Sequence, residues 1–205
     1  LYNETDGKAI MPTPVIGGIG LLENASNHIT LDLKGADETI VSIGMLTGWL
    51  GQSLYLRELF GQETGAPPPI NLDEEKLNGD FILRMIEEKH VTACHDISDG
   101  GLLVAITEMA FSALVKGKKL GVEVINTTEL DPFAFYFGEE QARYIVTTVN
   151  SEKLLEMAEK AGVVANIIGR TTSNGQLILP DNCSVALEEL YIAYDKWLPE
   201  YMLGA

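Results

Sequence analysis

The sequence predicts a mixed β-sheet flanked by helices. Segments with the apolar spacing of helices are interleaved along the 205 residues with short segments that have the spacing of strands. Several strand segments are separated by only a few turn residues, too few for the crossover that a parallel pair needs. We therefore expect helices packed on a sheet that is not purely parallel.

The first 27 residues are predicted to be extended. Two prolines in Met11–Pro14 keep the chain out of the helical region. Val15–Leu22 then alternates apolar residues with glycine, which is typical of a strand whose backbone is closely approached. We prefer close packing to a phosphate-binding loop here, because no helix clearly starts at these glycines.

Between residues 28 and 90 the chain predicts two strands followed by two helices. Alternation indicates the first strand, three successive prolines mark the loop between the helices, and Asn71 with the acids after it begins the second helix. That helix should bury a face containing Leu77, Phe81, Ile82, Met85 and Ile86. The predicted elements are a half-buried strand over 29–34, a turn over 35–38, a strand over 39–45, a loop over 44–51, a helix over 53–60, a loop over 61–69 and a helix from 71 to about 89.

From residue 91 onward, strands and helices are again interleaved. Ser151 is the expected cap of one helix and Gly162 its end. Ser173-Asn174-Gly175 is expected to turn a hairpin. The predicted elements are strands over 91–94, 121–125, 143–149, 163–170 and 176–179, helices over 102–114, 152–161 and 185–197, and an aromatic approach to a polar turn over 133–141.

Composition and charge argue against several classes of protein. The net charge of −16 disfavours nucleic acid and anionic membranes as partners, since both need clustered Lys and Arg. Nucleotides remain possible, because local amides, Mg²⁺ and a few cations can hold phosphates. Two cysteines, Cys94 and Cys183, give neither a disulfide framework nor a zinc spacing. No segment reads as a signal peptide or a membrane span, so we expect a cytoplasmic protein.

The stretch from Cys94 to Leu102 is the first candidate site. His95, Asp96, Ser98 and Asp99 fall within five residues, after a short apolar strand and before a glycine pair and a helix. Carboxylates beside a helix N-terminus can hold Mg²⁺, and the glycines let phosphate oxygens approach the backbone amides. The alternative is that Ser98 or Asp99 only caps the helix, and local chemistry leaves both interpretations open.

The second candidate site contains Glu139, Glu140, Gln141 and Arg143, between an aromatic run and a strand. A carboxylate could bind a ribose hydroxyl or Mg²⁺, and the arginine could bind phosphate. Taken alone, these residues favour a solvated hairpin end with a weak Glu–Arg pair. The chain has no nucleophile elbow and no Walker A pattern, and His95 is the only credible acid–base histidine.

These two stretches resemble a known family. His95–Leu102 is very similar to a motif in the C-terminal domain of the aminoimidazole ribonucleotide synthetase-like ATP-binding superfamily, and Phe137–Arg143 fits it as well. Tyr2–Thr5, followed by Ile10–Gly17, resembles the amidine-forming synthetases of that superfamily. The markers span most of the chain. The resemblance implies an α+β fold, a three-layer α/β/α domain with a mixed sheet.

The resemblance also implies an activity. Such an enzyme is an ATP-dependent C–N ligase of purine biosynthesis that uses ATP and Mg²⁺ to activate the amide oxygen of formylglycinamide ribonucleotide. Ammonia from a glutaminase subunit then displaces phosphate to give the amidine, ADP and phosphate. Electrostatic stabilisation by metal and cations would carry most of this phosphoryl transfer. The implied partners are the glutaminase subunit, a small accessory subunit and the N-terminal domains of the same polypeptide.

The resemblance covers about the last quarter of such an enzyme. Residues 1–27 are then the tail of the preceding ATP-binding domain, residues 28–205 are the C-terminal domain, and Leu1 is internal to a longer protein. The catalytic residues are expected upstream of Leu1, so this chain alone should be inactive. The resemblance implies two fused copies of an ATP-binding domain and a C-terminal α/β domain, of which the second copy forms a pseudo-symmetric, auxiliary nucleotide site. Asp96 and Glu139–Gln141 match positions that contact Mg²⁺ and substrate in the first copy. The candidate metal ligand of this chain is Asp96, and the candidate nucleotide or substrate contacts are His95, Ser98, Asp99, Glu139, Glu140, Gln141 and Arg143.

Two alternatives stay open. Another ATP-dependent enzyme of the superfamily, of the selenophosphate synthetase or thiamine-phosphate kinase type, would share the first motif, although the Tyr2–Gly17 pattern argues against it. A noncatalytic docking domain would instead leave an exposed apolar patch where the other domains pack.

Overall fold

The residues that the structure describes form a seven-stranded mixed sheet at the centre of the protein. The structure, a computed structural model, describes residues 3–10, 15–22, 24–126, 128–180 and 183–204. The prediction for Met11–Pro14 lies outside these residues. The strands are β1 Glu4–Thr5, β2 Lys8–Ala9, β3 Thr39–Ile43, β4 Ala93–Asp96, β5 Gly121–Val124, β6 Tyr144–Thr148, β7 Ala165–Thr172, β8 Gln176–Leu179 and β9 Cys183–Ala186. The α-helices are α1 Leu54–Phe60, α2 Leu72–Glu87, α3 Gly101–Val115, α4 Pro132–Phe137, α5 Ser151–Ala161 and α6 Leu187–Leu203.

The order of strands in the sheet is β4-β6-β3-β7-β5-β8-β9, and β1 pairs with β2 in a separate hairpin. Neighbours in the large sheet are antiparallel except for the parallel pair β5–β8. The predicted mixed sheet is therefore confirmed. At its β4 edge, Asp96 is paired with Tyr144, so the end of β4 lies beside the start of β6. This register brings the two candidate sites together.

Helices cover both faces of the sheet, which confirms the three-layer arrangement. One buried cluster joins Ile40, Ile145 and Ile168 of the sheet to α3, α4 and the start of α6. The other cluster joins Val41, Val146 and neighbouring strand residues to α2 and α5. Successive strand residues point to opposite faces, so β3 and β6 each supply both clusters. No described helix is long and apolar enough to cross a membrane.

Local capping explains where the helices around the site begin. Asn71 accepts hydrogen bonds from the backbone amides of Asp73 and Glu74 and so starts α2, as predicted. Phe81, Ile82 and Met85 of its predicted face are buried, whereas Leu77 is 41% exposed and Ile86 is half-buried. The apolar stripe of α2 therefore packs on the sheet through the central turns of the helix.

The predicted strand over residues 29–34 is wrong. The segment contains no strand, and the buried carboxylate of Asp32 pairs instead with Lys34 at 2.8 Å and with Lys116 at 2.7 Å. The hydroxyl of Thr30 also donates to Asp32. These local side-chain bonds give the backbone an alternative to a sheet ladder. The alternating pattern thus reflects a buried ion-pair cluster.

The predicted close packing of residues 15–22 is also wrong. No strand forms there, and the side chains of Val15, Ile19 and Leu21 are at least 96% exposed. Among the described residues, no atom lies within 4 Å of a Cβ built on any of the three glycines in this segment. The glycines therefore separate apolar side chains that are largely exposed.

The predicted hairpin from β7 to β8 is wrong because β5 lies between these strands. Asn174 does turn the chain, since its side-chain oxygen accepts from the amide of Gln176 at 2.9 Å. The start of β5 fits against this turn: a Cβ on Gly121 would lie 2.2 Å from the Asn174 Oδ1 atom. A glycine at that position lets β5 enter between two strands that are adjacent in sequence.

Three smaller differences concern helix ends. The segment over 133–141, predicted to be an aromatic run leading to a polar turn, contains most of helix α4. Asp131 caps this helix and Pro132 is its first residue. Asn150, not Ser151, caps α5, because its side chain accepts from the amide of Lys153. The last helix begins later than predicted, after β9, and continues past Pro199. The remaining predicted strands and helices are present with ends shifted by a few residues.

Candidate functional site

A cavity of about 300 Å³ opens at the β4 edge of the sheet, where the two candidate stretches meet. Residues 96–99 form one wall and residues 139 and 141–144 form the other, although about 40 residues separate them in sequence. Antiparallel pairing of β4 with β6 produces this juxtaposition. The lining residues are Pro68, Glu75, Asp96, Ile97, Ser98, Asp99, Glu139, Gln141, Ala142, Arg143 and Tyr144.

The first wall is a turn that leads from β4 into α3. The amide of Ile97 donates to the carbonyl oxygen of Arg143 at 2.9 Å, which extends the β4–β6 ladder by one bond. Asp96, Ser98 and Asp99 are exposed to the cavity mouth. No described contact makes Ser98 or Asp99 a side-chain cap of α3, and the N-cap is Gly100. The capping alternative is therefore wrong, and these polar groups are available to a ligand.

His95 lies on the other side of the sheet edge. Its Nε2 atom is 2.9 Å from Glu108 of α3, and its Nδ1 atom is 3.1 Å from Asp96. It lines a separate cavity with Phe111 and Tyr191. Since the ring lies between two carboxylates and does not line the main cavity, His95 links β4 to α3 and contacts Asp96.

Glu139 caps two helices with one oxygen. Its Oε1 atom accepts hydrogen bonds from the amide of Leu54 at 2.9 Å and from the amide of Gly100 at 2.8 Å. The first amide belongs to the start of α1 and the second to the start of α3. Helix N-termini carry unpaired amides and a partial positive charge, so an ionised carboxylate stabilises both ends.

Glu140 is buried and holds the loop before α1. Its Oε1 atom accepts from the amides of Thr47 at 2.6 Å and Gly48 at 2.8 Å, and its Oε2 atom is 3.2 Å from the Nη1 atom of Arg143. Glu140 is 6% exposed and Arg143 is 2% exposed. The predicted solvated hairpin end is therefore wrong: this is a buried ion pair.

Arg143 carries a buried charge that is only partly satisfied. Burial lowers the pKa of its guanidinium, while the neighbouring Glu140 carboxylate raises it. An arginine keeps its proton under these conditions. Nη1 also donates to the carbonyl oxygen of Gly138 at 3.3 Å, but Nε and Nη2 have no hydrogen-bond partner within the described part of the chain. The buried guanidinium therefore places an incompletely paired positive charge in the wall of the cavity.

Two further lining residues, Glu75 and Tyr144, were not indicated by the sequence patterns, and Glu75 adds a carboxylate to the cavity. Glu75 of α2 and Tyr144 of β6 join Asp96, Asp99 and Glu139 around it. Burial raises the pKa of the Tyr144 phenol, and the charges of Glu75, Cys94 and Asp96 raise it further. The site therefore combines several carboxylates with one buried guanidinium.

Among the residues that the structure describes, no group of three or more His, Cys, Asp or Glu side chains is arranged to hold a metal ion. Asp96 is the candidate ligand from the sequence, and its side chain is 64% exposed. The protein alone thus offers single carboxylates at the cavity mouth. This suits an ion that brings most of its ligands with it, as Mg²⁺ does when it is bound to phosphates and water.

Comparison with known proteins gives consistent matches. The family described as AIR synthase related protein, C-terminal domain, matches residues 36–182. The phosphoribosylformylglycinamidine synthase subunit PurL of Bradyrhizobium diazoefficiens is 44% identical over 205 residues, which is 100% of this chain and 27% of that protein. The subunit of the same name from Rhodopseudomonas palustris strain BisB18 is 46% identical over 208 residues, again 100% of this chain and 27% of the relative.

The fold is also shared with solved structures. Thermotoga maritima PurL complexed with FGAR has a TM-score of 0.65 and 21% identity, and the match covers 82% of this chain and 30% of that one. Escherichia coli HypE, a hydrogenase maturation protein, has a TM-score of 0.51 and 17% identity, with 78% and 52% of the two chains covered. At these identities the likeness shows the fold alone. The chain spans about a quarter of the length of the curated relatives it matches.

Proposed function

Because this chain belongs to the AIR synthase related protein family through the C-terminal domain of that family, we propose that it is a domain of a phosphoribosylformylglycinamidine synthase. Relatives with that name that are 44–46% identical along the whole chain support this assignment. The complete enzyme would be an ATP-dependent C–N ligase. It would convert formylglycinamide ribonucleotide, ATP and glutamine-derived ammonia into the amidine, ADP and phosphate.

The meeting of residues 96–99 and 139–144 in one cavity carries this proposal for the present chain. We propose that the cavity binds a nucleotide or the ribonucleotide substrate. Asp96 and Asp99 would accept from ribose hydroxyls or contact a phosphate-bound cation, and Gln141 would supply an amide. Arg143 would attract the negative charge of the ligand from within the wall.

Mg²⁺ fits this site only together with a phosphate ligand. Magnesium commonly keeps several waters and takes one or two carboxylates plus substrate phosphates, and Asp96 and Asp99 stand in one turn at the cavity mouth. Bound there, the ion would neutralise phosphate charge. The residues of this chain would hold and orient the phosphate-bound ion.

The division of the chain belongs to the same proposal. Residues 1–27 would be the tail of a preceding ATP-binding domain and residues 28–205 the C-terminal domain. The catalytic residues would lie elsewhere in the longer polypeptide, so this chain alone would not form the amidine. A glutaminase subunit and a small accessory subunit would be its partners, and the cytoplasm its location.

A second candidate function, docking without catalysis, is favoured by one observation. Val15, Ile16, Ile19, Leu21 and Leu22 are all at least 67% exposed, which is unusual for five apolar side chains within eight residues. We propose that this segment packs on another domain of the same enzyme. Docking and ligand binding are compatible, because the segment does not line the cavity.

Calorimetric titration with Mg·ADP and Mg·ATP tests the ligand-binding proposal. We expect the wild-type chain to bind, and Asp96→Asn to weaken binding about tenfold or more, since a charge-assisted contact is worth about 1.5–3 kcal/mol. Asp80→Asn removes the same charge from the surface of α2 outside the cavity and is the matched control. Equal affinities of the wild type and Asp96→Asn would show that Asp96 does not contribute to ligand binding.

A chimera tests the enzyme assignment itself. The 205 residues would replace the matching segment of the Rhodopseudomonas palustris relative, and amidine formation would be measured for the chimera and for the chain alone. We expect activity from the chimera and none from the chain alone. A soluble, correctly assembled chimera without activity would contradict the assignment, and activity of the chain alone would contradict its dependence on other domains.

A further inference from the structure

One carboxylate oxygen joins three parts of the chain at the cavity. Glu139 Oε1 accepts from the amides of Leu54 and Gly100, and the Glu139 amide donates to the carbonyl oxygen of Trp49 at 3.0 Å. The loop before α1, the turn before α3 and the turn before β6 are thereby tied to one side chain. Two of these segments carry the ligand-facing residues.

No other described side chain accepts a hydrogen bond from the amide of Leu54 or of Gly100. Gly100 is the N-cap of α3 and has no side chain to offer. Ser53 caps α1, but its hydroxyl accepts from the amide of Leu56 at 3.3 Å and leaves the amide of Leu54 to Glu139. A helix begins with four amides that lack intrahelical partners. Glu139 therefore supplies a hydrogen-bond acceptor to one such amide at the start of each helix.

The segments joined by Glu139 also approach each other closely. Gly101 has a φ of 72°, and a Cβ there would lie 2.7 Å from the Cα atom of Phe137. A Cβ on Gly138 would lie 2.8 Å from the carbonyl oxygen of Ala134 and 3.0 Å from the Cα atom of Gly48. Each glycine therefore permits a close approach of backbone segments that a larger residue would prevent.

We propose that Glu139 is a positioning residue: it fixes the Asp96–Asp99 turn against the Gln141–Arg143 turn and does not itself coordinate the ligand. The proposal rests on the proposed ligand-binding function of the cavity. Its physical content is that Glu139 acts as a hydrogen-bond acceptor with a fixed geometry. Glutamine keeps that acceptor and loses the charge, whereas alanine loses both, so the two substitutions separate positioning from direct coordination of a cation.

Amide hydrogen exchange of the 205-residue chain tests the two bonds directly. In Glu139→Ala we expect the amides of Leu54 and Gly100 to exchange about tenfold faster or more, relative to core amides of β6, because both lose an acceptor. In Glu139→Gln we expect changes below about threefold. Ser53→Ala is the matched control, since it removes a cap of α1 and should leave the Gly100 amide unchanged. Unchanged exchange at either amide in Glu139→Ala would overturn the double cap.

Titration of the same variants with Mg·ADP tests positioning. We expect the Kd of Glu139→Gln for Mg·ADP to lie within about threefold of the wild-type value. For Glu139→Ala we expect a Kd that is higher by about tenfold or more. Equal losses in both variants would make Glu139 a ligand contact and overturn the proposal.

If Glu139→Ala does not fold, the glutamine variant still decides between the two roles. If the wild type does not bind Mg·ADP, the ligand-binding proposal fails, while exchange at Leu54 and Gly100 still decides the double cap.

Discussion

The side-chain amide of Asn78 donates a hydrogen bond of 2.9 Å to the carbonyl oxygen of Ala142, across the gap between α2 and the second cavity wall. Asn78 is 4% exposed, although it lies on a helix face that otherwise buries apolar residues. Ala142 has a φ of 60°, which costs a non-glycine residue on the order of 1 kcal/mol. Gln141 and Arg143 flank it, so this strained turn sets how the wall faces the cavity.

Replacing Asn78 should therefore affect both stability and ligand binding. Asn78→Ala removes the donor and leaves a buried carbonyl unpaired, which should lower the free energy of unfolding by about 2–3 kcal/mol. Asn78→Asp should cost more, because a carboxylate would face the carbonyl oxygen in a buried site. Urea unfolding gives the first quantity, and calorimetric titration with Mg·ADP gives the second.

Asn71→Ala is the control for the Asn78 variants. It removes the cap of the same helix, which should cost about 1 kcal/mol, without touching the cavity wall. If Asn71→Ala weakens ligand binding as much as Asn78→Ala does, the effect comes from a loosened α2. Binding lost only in the Asn78 variants would identify the bond to Ala142 as the cause.

Asp32 should make the protein sensitive to acid. Burial raises the pKa of its carboxyl, but hydrogen bonds from Lys116, Lys34 and Thr30 outweigh burial and hold the pKa well below its ordinary range. A carboxyl whose pKa is lowered on folding adds stability at neutral pH. That stability is lost as the pH falls from about 5, where the unfolded chain begins to take up a proton, through the lowered pKa.

Urea unfolding of Asp32→Asn at several pH values checks this expectation. At pH 7 the variant should be less stable by about 1–3 kcal/mol, and the difference from the wild type should shrink as the pH falls below about 4. Glu156 is the matched control, because Lys160 and Lys153 lower its pKa as well but the pair is exposed. Glu156→Gln should leave the acid dependence nearly unchanged. A constant difference between Asp32→Asn and wild type at all pH values would be evidence against the buried pair.

The two thiols should react at very different rates. Burial raises the pKa of Cys94 to about 12, and the charge of Asp96 adds to this, whereas Cys183 is exposed on β9. Since the thiolate is the reactive form, iodoacetamide at pH 8 should label Cys183 about 100-fold faster than Cys94. Mass spectrometry after timed labelling gives both rates, and Cys183→Ser should leave a nearly unreactive chain. Comparable rates for both thiols would mean that β4 opens readily.

Short-range patterns predicted most of the architecture. Some features depend only on neighbours within a few residues, and these are confirmed. They are the cap of α2 at Asn71, the apolar stripe of α2 and the end of α5 at Gly162. The strand over 29–34 was predicted wrongly because Asp32 bonds to Thr30 and Lys34 within the segment and pairs with Lys116, 84 residues away. A buried ion pair formed at that distance leaves no periodic signal.

The candidate site was predicted in its parts and not in its arrangement. Both polar stretches were identified from local composition and from a family resemblance, but their meeting depends on the pairing of Asp96 with Tyr144 between strands distant in sequence. The buried state of Glu140 and the double cap by Glu139 follow from that packing and not from local residues. Asn78 had one available signal, a polar residue in the apolar stripe of α2.

Substitution of Gly101 measures how closely the two cavity walls approach. Gly101 and Gly117 both have left-handed backbone angles, with φ of 72° and 77°. A Cβ at Gly101 would overlap backbone atoms of Phe137 and Gly138, whereas no atom of the described residues lies within 4 Å of a Cβ at Gly117. Gly117→Ala should therefore cost only the backbone strain, about 1 kcal/mol, and Gly101→Ala about 3 kcal/mol or more, since backbone cannot move aside as a flexible side chain can. Urea unfolding of the two variants under one condition isolates the contact, because the strain is common to both. Equal costs would mean that the turn before α3 and the turn before β6 are not in contact, and the cavity between them would then lack the fixed walls on which ligand binding depends.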